Sequence, residues 1–334
     1  MRLELLDYVR LSAALAVLWF HYCFNGIANG KVTGLTHTPL LAGAAQYGYL
    51  GVALFFMISG YVIFLSAARR TAIEFVGSRM LRLFPAFWAA MLTTALFATA
   101  WGGDKMSVSI PQIIANSIMV PSVFGYAPVD GVYWTLKYEI IFYLSVTTLL
   151  GLRLGAYLPQ IALVWPLVQL VLSESHNNFA LMSGWYCFFA AGSCLAAMKS
   201  SPTPWVLPAL MVSLFLCCKF AVTTARPELS HLVVGSLIVL FFILLALLSL
   251  PKFSELRLPG AAYAAALSYT IYLVHAHIGY MTLSQLSPII GPVGAYLATL
   301  MLVFGLAVAI HLLVERRLRP FWTWLFHFAN ERPS

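Results

Sequence analysis

Apolar stretches long enough to cross a lipid bilayer recur along the whole chain, and they limit the fold more than any other feature. A helix needs about 20 apolar residues to span the hydrocarbon core. The chain has 334 residues, of which 61% are hydrophobic and 9% charged. A soluble domain carries about 25% charged residues. The sequence therefore predicts an all-α fold, a polytopic membrane helical bundle.

The apolar stretches predict about ten transmembrane helices in one integral membrane domain, residues 1–334. The segment 110–120 is too short and too polar to cross, and we expect an interfacial or re-entrant helix there. The ten predicted spans are approximately 8–26, 47–67, 83–101, 132–152, 155–172, 179–198, 205–222, 231–250, 262–283 and 292–314.

The net charge of +8 does not predict nucleic-acid binding, because the basic residues lie in short loops between apolar stretches. Most of them fall on the side of the N-terminus, and such a bias is typical of cytoplasmic loops. We therefore expect both termini to be cytoplasmic, in a multi-pass protein of the inner (cytoplasmic) membrane. Residues 315–334 are rich in aromatic side chains and predict a cytoplasmic interfacial tail.

The first predicted span contains two ionisable residues, in the sequence LDYVRLSAALAVLWFHYCF. Arg10 and His21 are about three helical turns apart, so they share a face, and their separation along the axis is about 16 Å. Arg10 could extend its guanidinium to the membrane surface. His21 could form an ordinary interhelical hydrogen bond. A second interpretation is a functional site, because ionisable residues in membrane spans usually face a cavity or a partner.

Two further arginines share a helix face at the cytoplasmic side. Arg79 and Arg82 are three residues apart, which makes them neighbours on a helix surface. Paired guanidinium groups are suited to bidentate contacts with phosphate. The cytoplasmic bias of basic residues explains their presence without a ligand, so the alternative of a purely topological role stays open.

Later spans carry further polar candidates. Glu139 and Tyr143 are four apart and face together, and a salt bridge is the structural alternative for this carboxylate. Tyr272 and His275 also share a face, whereas His275 and His277 diverge by about 200° on a helix. Without a cluster of carboxylates beside them, we predict no metal site.

Taken together, these residues resemble acyltransferase family 3, a family of integral membrane proteins. Any one motif is weak, but six in order along nearly the whole chain are specific. They are Arg10 with His21, GVALFFMISGY, RMLRLFP, WTLKYEIIFY, LSYTIYLVH and VERRLRPF with Glu315. The chain departs from the family pattern at Leu11, Ala53 and Ile140.

The resemblance implies a ten-helix bundle that moves acyl groups from coenzyme A thioesters to glycans and other acceptors. Acyl-CoA, with acetyl-CoA favoured, would be a donor substrate and not a permanently bound cofactor. A carbohydrate or lipid-linked glycan would be the acceptor, the lipid bilayer the surroundings, and nucleic acid no partner. Many relatives carry a C-terminal soluble domain. This chain ends before one could begin, so we expect a stand-alone form.

The resemblance also implies roles for single residues. His21 would be neutral, because burial disfavours the charged form, and would act as a general base or carry the acyl group transiently. The expected roles are catalytic for His21 and Glu139, donor-binding for Arg10, Arg79, Arg82 and Ser59, and acceptor-binding for Trp134, Tyr138, Tyr272 and His275.

A transporter or flippase for a glycan or an acylated small molecule is the rival prediction, since buried ionisable groups also form transport paths. Transporters often show inverted repeats and paired broken helices. The sequence shows neither, which favours the enzyme.

Overall fold

A computed structural model describes residues 3–68, 70–172, 181–182, 184–254 and 256–326. Within these ranges every regular element is a helix. Residues 327–334 of the predicted interfacial tail, and residues 179–180 and 183 of the predicted span 179–198, lie outside the described residues.

The α-helices are numbered in chain order. They are α1 Glu4–Phe20, α2 Gly26–Ala28, α3 Pro39–Ala45, α4 Gly51–Ala67, α5 Ala72–Trp101, α6 Gly103–Met106, α7 Ile110–Asn116, α8 Trp134–Gly151, α9 Leu158–Leu172, α10 Tyr186–Ser200, α11 Val206–Thr223, α12 His231–Leu248, α13 Pro251–Ser254, α14 Ala261–Val274, α15 Ala276–Ala309 and α16 Arg319–Leu325. Two π-helices are His21–Asn25 and Ile310–Arg317, and the 3-10 helices are Gly48–Leu50, Pro121–Phe124, Gly131–Tyr133 and Gly155–Tyr157.

The described part of the chain holds seven helical stretches that are long and apolar enough to cross a membrane. This confirms the all-α, multi-pass membrane class. The stretches are Glu4–Ala28, Pro39–Ala67, Ala72–Trp101, Gly155–Leu172, Val206–Thr223, His231–Leu248 and Ala276–Arg317. The other predicted spans correspond to α8, α10 and α14, and the last two have only 15 and 14 residues. The segment 110–120 holds the short helix α7, whose N-terminus is closed by a capping box of Ser109 and Gln112.

The predicted span 262–283 is divided in the structure, because the helix is interrupted at His275. Its predicted separation from the next span, 292–314, corresponds to a break within α15 at Gly291, where φ is 73° and ψ is 169°. The backbone N–H of His277 donates to Asp130 Oδ2 at 2.9 Å. The carbonyl oxygen of Leu273, which a regular helix would pair with that N–H, accepts from the Tyr133 hydroxyl at 3.1 Å. Side chains that enter the ladder of backbone hydrogen bonds in this way bend a helix. α14 therefore ends at Val274 and α15 begins at Ala276.

Contacts between Cα atoms divide the chain into two compact units. Unit 1 contains residues 1–13, 50–76 and 138–262, and unit 2 contains residues 14–49, 77–137 and 263–334.

Unit 1 is built around the contact between α4 and α10. A Cβ on Gly192 would lie 2.8 Å from the carbonyl carbon of Met57, and one on Gly60 would lie 2.9 Å from that of Phe189. Both distances are shorter than real Cβ contacts. Small residues allow this close approach of helix backbones, as is common in membrane bundles. α12 is more peripheral in unit 1 and exposes an apolar face suited to lipid, including Leu232, Leu240 and Ile243.

In unit 2, the later part of the first helical stretch, residues 14–28, packs against the start of α15. A Cβ on Gly26 would overlap the ring of Tyr280, and one on Gly279 would overlap the ring of Tyr22. These two glycines therefore leave room for two buried tyrosine rings at the interface. The Tyr22 hydroxyl donates to the carbonyl oxygen of His275 at 2.9 Å, which ties the first stretch to the bend between α14 and α15.

The close contact between α4 and α10 predicts that alanine substitutions at two glycines of unit 1 will change the melting temperature differently. Gly192→Ala should lower the melting temperature in detergent, because overpacking costs about 1–3 kcal/mol. Gly235→Ala is the matched control: among the described residues, no atom beyond its own helix backbone and its two chain neighbours lies within 4 Å of its Cβ position. It should be neutral or stabilising by up to about 1 kcal/mol, the helix propensity gained over glycine. Equal melting temperatures for the two variants would contradict the packing described.

Candidate active site

His21 lies at the first position of the π-helix His21–Asn25, directly after α1. Its Nδ1 forms a hydrogen bond with the hydroxyl of Tyr280 on α15. Asn25 donates to the same hydroxyl at 3.2 Å, and its amide nitrogen lies 3.4 Å from Nδ1 of His21. No described contact occupies Nε2 of His21, and the side chain is half-buried. Single π-turns occur often at functional sites, and this one presents a held imidazole with one unoccupied nitrogen.

A second imidazole stands beside the first. The ring of His275 lies 5.0 Å from that of His21, centroid to centroid. His275 Nδ1 is 2.8 Å from the carbonyl oxygen of Tyr272, so Nδ1 carries the hydrogen and donates it. Its Nε2 is buried and has no hydrogen-bond partner in the described structure. A buried polar atom without a partner is uncommon and calls for an explanation, and a bound hydroxyl group would supply the missing partner.

A third imidazole lies at the start of α15. His277 Nδ1 is 3.1 Å from the carbonyl oxygen of Val129, so this nitrogen is the donor. Its Nε2 then accepts from the ammonium of Lys31 at 2.8 Å and from the backbone N–H of Gly131 at 3.3 Å. The rings of His277 and Tyr280 are 6.2 Å apart. The hydrogen bonds thus hold His277 in a single tautomer.

Asp130 holds this group of residues in place. Its side chain is fully buried; Oδ1 accepts from the N–H of Val132 at 3.1 Å and Oδ2 from the N–H of His277 at 2.9 Å. Hydrogen bonds from N–H groups stabilise a buried carboxylate. Asp130 therefore joins the loop before α8 to the first turn of α15.

The predicted donor-binding arginines lie near the other end of α14. Arg82 Nη2 donates to the carbonyl oxygen of Ala265 at 3.0 Å, and its guanidinium lies 5.7 Å from the ring centroid of Tyr269. Arg79 is one turn earlier on α5 and donates to Ser78 Oγ at 3.3 Å. From Ala265 to His275 the helix rises about 15 Å, at 1.5 Å per residue. Both arginines and the histidines belong to unit 2.

Besides His275, the predicted acceptor-binding residues Tyr272 and Trp134 belong to unit 2. The ring of Tyr272 lies 5.6 Å from that of His275, as their spacing predicts. The Tyr272 hydroxyl is buried and donates to the carbonyl oxygen of Val132 at 3.1 Å. The same hydroxyl lies within hydrogen-bond distance, 2.8 Å, of Thr135 Oγ1. Trp134 is 37% exposed. The buried Tyr272 therefore packs against His275, whereas the aromatic ring of Trp134 is accessible.

The remaining predicted residues belong to unit 1. Glu139 accepts from the Tyr143 hydroxyl and, at 3.4 Å, from Ser59 Oγ. The predicted shared face of Glu139 and Tyr143 is thus confirmed. The ring of Tyr138 packs against Phe56 and Tyr186 at 5.9 and 5.2 Å. The functional roles of Glu139, Ser59, Tyr138 and Arg10 stay predictions.

The last sequence motif forms a local pair in unit 2. His311 Nδ1 lies 2.8 Å from Glu315 Oε2 within the π-helix Ile310–Arg317. Among the described residues as a whole, no group of three or more His, Cys, Asp or Glu side chains could hold a metal ion. The predicted absence of a metal remains a prediction.

Sequence reasoning missed five residues of the histidine cluster. Asn25 follows His21 by one helical turn, so its spacing could have indicated it. Asp130 precedes a glycine at a turn and could have been read as a capping residue. His277 and Tyr280 are three apart on α15 and share a helix face, but their contacts with Lys31 and His21 are tertiary, and no local pattern predicts them.

Comparisons with known proteins agree with the motifs. A family model described as an acyltransferase domain, that of acyltransferase family 3, matches residues 3–312. An "O-acetyl transferase" of Shigella phage Sf6 is 30% identical, over 53% of this chain and 55% of the relative. "Nodulation protein 10" of Rhizobium leguminosarum bv. viciae is 28% identical, over 52% of this chain and 53% of the relative.

A third relative is the "Exopolysaccharide production protein ExoZ" of Rhizobium meliloti (strain 1021). It is 32% identical, over 29% of this chain and 32% of the relative. The chain thus spans about half, or less, of the length of these curated relatives. No solved structure matches the chain. Since the family model covers nearly all of the sequence, the chain belongs to acyltransferase family 3.

Proposed function

We propose that this protein is a membrane O-acyltransferase, which moves an acyl group, preferably acetyl, from acyl-CoA to a hydroxyl of a carbohydrate. One observation carries the proposal. His21 is held through Nδ1 by Tyr280, and the unpartnered Nε2 of His275 belongs to a ring 5.0 Å away. Family membership and the printed name of the phage relative support the same chemistry.

Arg79 and Arg82 bind the phosphates of the donor in this proposal. Arg82 uses one N–H on the carbonyl oxygen of Ala265, and a guanidinium has five N–H donors, so four remain for a ligand. Phosphate oxygens accept such donors in bidentate pairs. The extended pantetheine arm of coenzyme A then covers the rise of about 15 Å along α14 and brings the thioester to the histidines.

His21 performs the proton transfer. With the hydrogen on Nδ1 directed at the Tyr280 oxygen, Nε2 has a lone pair and accepts the proton of the acceptor hydroxyl. The hydroxyl oxygen forms a bond to the thioester carbonyl carbon, and the carbon–sulfur bond breaks. The leaving thiolate takes the proton from Nε2, so His21 returns to its starting state. A second route has Nε2 attack the thioester first and pass the acyl group on.

His275 orients the acceptor. Because its Nδ1 donates to the carbonyl oxygen of Tyr272, Nε2 can only accept a hydrogen bond. A sugar offers hydroxyl groups on adjacent carbons, so one can donate to His275 while its neighbour donates to His21. The exposed face of Trp134 is suited to the apolar face of a sugar ring.

The printed names of two relatives support a class of acceptor. One is named for exopolysaccharide production and one for nodulation. We propose a polysaccharide or a lipid-linked glycan as acceptor, at the inner (cytoplasmic) membrane. Glu139, Ser59, Tyr138 and Arg10 keep their predicted roles, catalytic for Glu139, acceptor-binding for Tyr138, and donor-binding for Ser59 and Arg10.

His21→Ala should reduce acyl transfer by a factor of about 10²–10⁴, the usual contribution of a general base. Binding of acetyl-CoA should change little, because the arginines remain. The measurement is transfer of radiolabelled acetyl from acetyl-CoA to cell-surface glycan by protein in membrane vesicles, with donor binding measured separately.

His231→Ala is the matched control, since His231 is exposed at the start of α12 and should tolerate the change. Tyr280→Phe removes only the hydroxyl that holds His21 and should give an intermediate loss. Full activity of a folded His21→Ala protein would exclude the catalytic role. Gradient-driven glycan movement without consumption of thioester would favour a transporter.

Arg82→Ala should raise KM for acetyl-CoA about tenfold to a hundredfold, because a hydrogen bond to a charged group contributes about 1.5–3 kcal/mol. Acetyl-pantetheine lacks the nucleotide, so its KM should not change. Arg79→Ala should behave similarly, whereas Arg317→Ala, a change at an exposed arginine of unit 2, should leave both values unchanged. An equal effect on both donors would show that the arginine does not bind the nucleotide phosphates.

A further inference from the structure

Lys31 occupies an unusual position in the loop that follows α2. Its side chain is half-buried, and its ammonium donates to His277 Nε2 at 2.8 Å. Because His277 Nδ1 donates to the carbonyl oxygen of Val129, the imidazole is a neutral acceptor at Nε2. The ammonium is therefore held in place by an uncharged group, and no acid in the described residues forms an ion pair with it.

The nearest acid does not neutralise Lys31 by direct contact. Both oxygens of Asp130 accept backbone N–H groups. Burial lowers the pKa of Lys31; the charge of Asp130 acts in the opposite direction, and the nearby cation of Lys105 lowers it further. An ammonium that is half-buried and not ion-paired is costly, and an anionic ligand would offset that cost.

A second ammonium lies beside the first. Lys105 Nζ donates to the carbonyl oxygen of Gly30 at 2.9 Å, and the carbonyl oxygen of Asn29 lies 3.4 Å away. Both carbonyls belong to the turn directly before Lys31. Asp104 is exposed and forms no ion pair among the described residues. Lys105 on α6 and Lys31 in the loop after α2 are like charges brought together by the fold. Such charges repel each other, and this arrangement is typical of a surface complementary to an anion.

The two lysines are connected to the candidate active site within unit 2. The ring of His277 lies 6.2 Å from that of Tyr280, and Tyr280 forms the hydrogen bond with His21. A sugar that presents a hydroxyl to His21 would therefore have its neighbouring groups near Lys31. A lipid headgroup would instead contact the exposed edge of the loop. It would not reach the Lys31 ammonium, which is hydrogen-bonded to the His277 imidazole, a side chain only 6% exposed.

We propose that Lys31, with Lys105, binds an oxyanion on the acceptor, so that the substrate is an acidic glycan with carboxylate or phosphate groups. This inference rests on the proposed function, because it deepens the acceptor site of that function. Lys31 is the main contact and Lys105 adds a weaker, more exposed charge.

The test is equilibrium binding to the full-length protein in nanodiscs of zwitterionic lipid, without any acyl donor. One pair of probes is trigalacturonate and galactotriose, and the other is mannose 6-phosphate and mannose. We expect the anionic member of at least one pair to bind tenfold or more tightly than its neutral counterpart. The preference should shrink at high salt, which screens charges. The pair of probes that shows this preference identifies the anion as carboxylate or phosphate.

Lys31→Gln should remove most of this preference and Lys31→Arg should retain much of it. Lys105→Gln should reduce it less. Lys137→Gln is the matched control, because Lys137 is an exposed lysine of the same unit, and it should change nothing. Equal affinity for charged and neutral probes would overturn the proposal. So would a preference that survives Lys31→Gln, or loss of sugar binding when anionic phospholipid is added, which would indicate a headgroup site.

The binding readout separates this inference from the proposed function. A protein that transfers acetyl groups but shows no Lys31-dependent preference would contradict only the anionic acceptor. A protein that shows the preference but no acyl transfer would contradict only the proposed reaction. The salt dependence of the unmodified protein keeps the test decisive if a lysine variant fails to fold.

Discussion

The carboxylate of Asp130 is fully buried and accepts backbone N–H groups from Val132 and His277. The bond from the His277 N–H replaces the helical bond to the carbonyl oxygen of Leu273. That carbonyl oxygen accepts a hydrogen bond from the Tyr133 hydroxyl instead. The helix bends at His275 as a result. His275 at this interruption lies beside His21, and His277 lies beside Lys31; the buried acid that holds the interruption therefore supports the geometry of the cluster. Loss of such a group leaves buried N–H donors without partners, which is costly.

The bend also gives unit 2 two chemically different ends. Near the start of α14 lies the guanidinium of Arg82, bound to the carbonyl oxygen of Ala265 and placed over the ring of Tyr269. Beyond its end lie the imidazoles and the ammonium of Lys31. In the proposed function, a donor with a polyanionic head and a thin arm would bind at the first end and reach the second. The proposed acceptor would then approach only the second end, where the proposed hydroxyl and oxyanion partners are grouped.

Much of this arrangement could be predicted from the sequence. Hydropathy indicates the helices, and the spacing of Glu139 and Tyr143 places them on one face because helical periodicity is local. The bend at His275 could not be predicted, since it is caused by Asp130 and Tyr133, which are more than 130 residues away in the chain. Lys31 was missed for the same reason. Its importance arises from contact with His277, and a lysine in a polar loop is ordinarily solvated.

We propose that one path in unit 2 holds the donor phosphates at Arg79 and Arg82 and the thioester at His21. A cryo-EM structure with a non-hydrolysable acetyl-CoA analogue would test this path. We expect phosphate oxygens in contact with both guanidinium groups, and the acetyl carbonyl carbon about 3–3.5 Å from His21 Nε2 or from a hydroxyl bound there. Phosphates bound away from both arginines, or an acetyl group pointing away from His21, would contradict it.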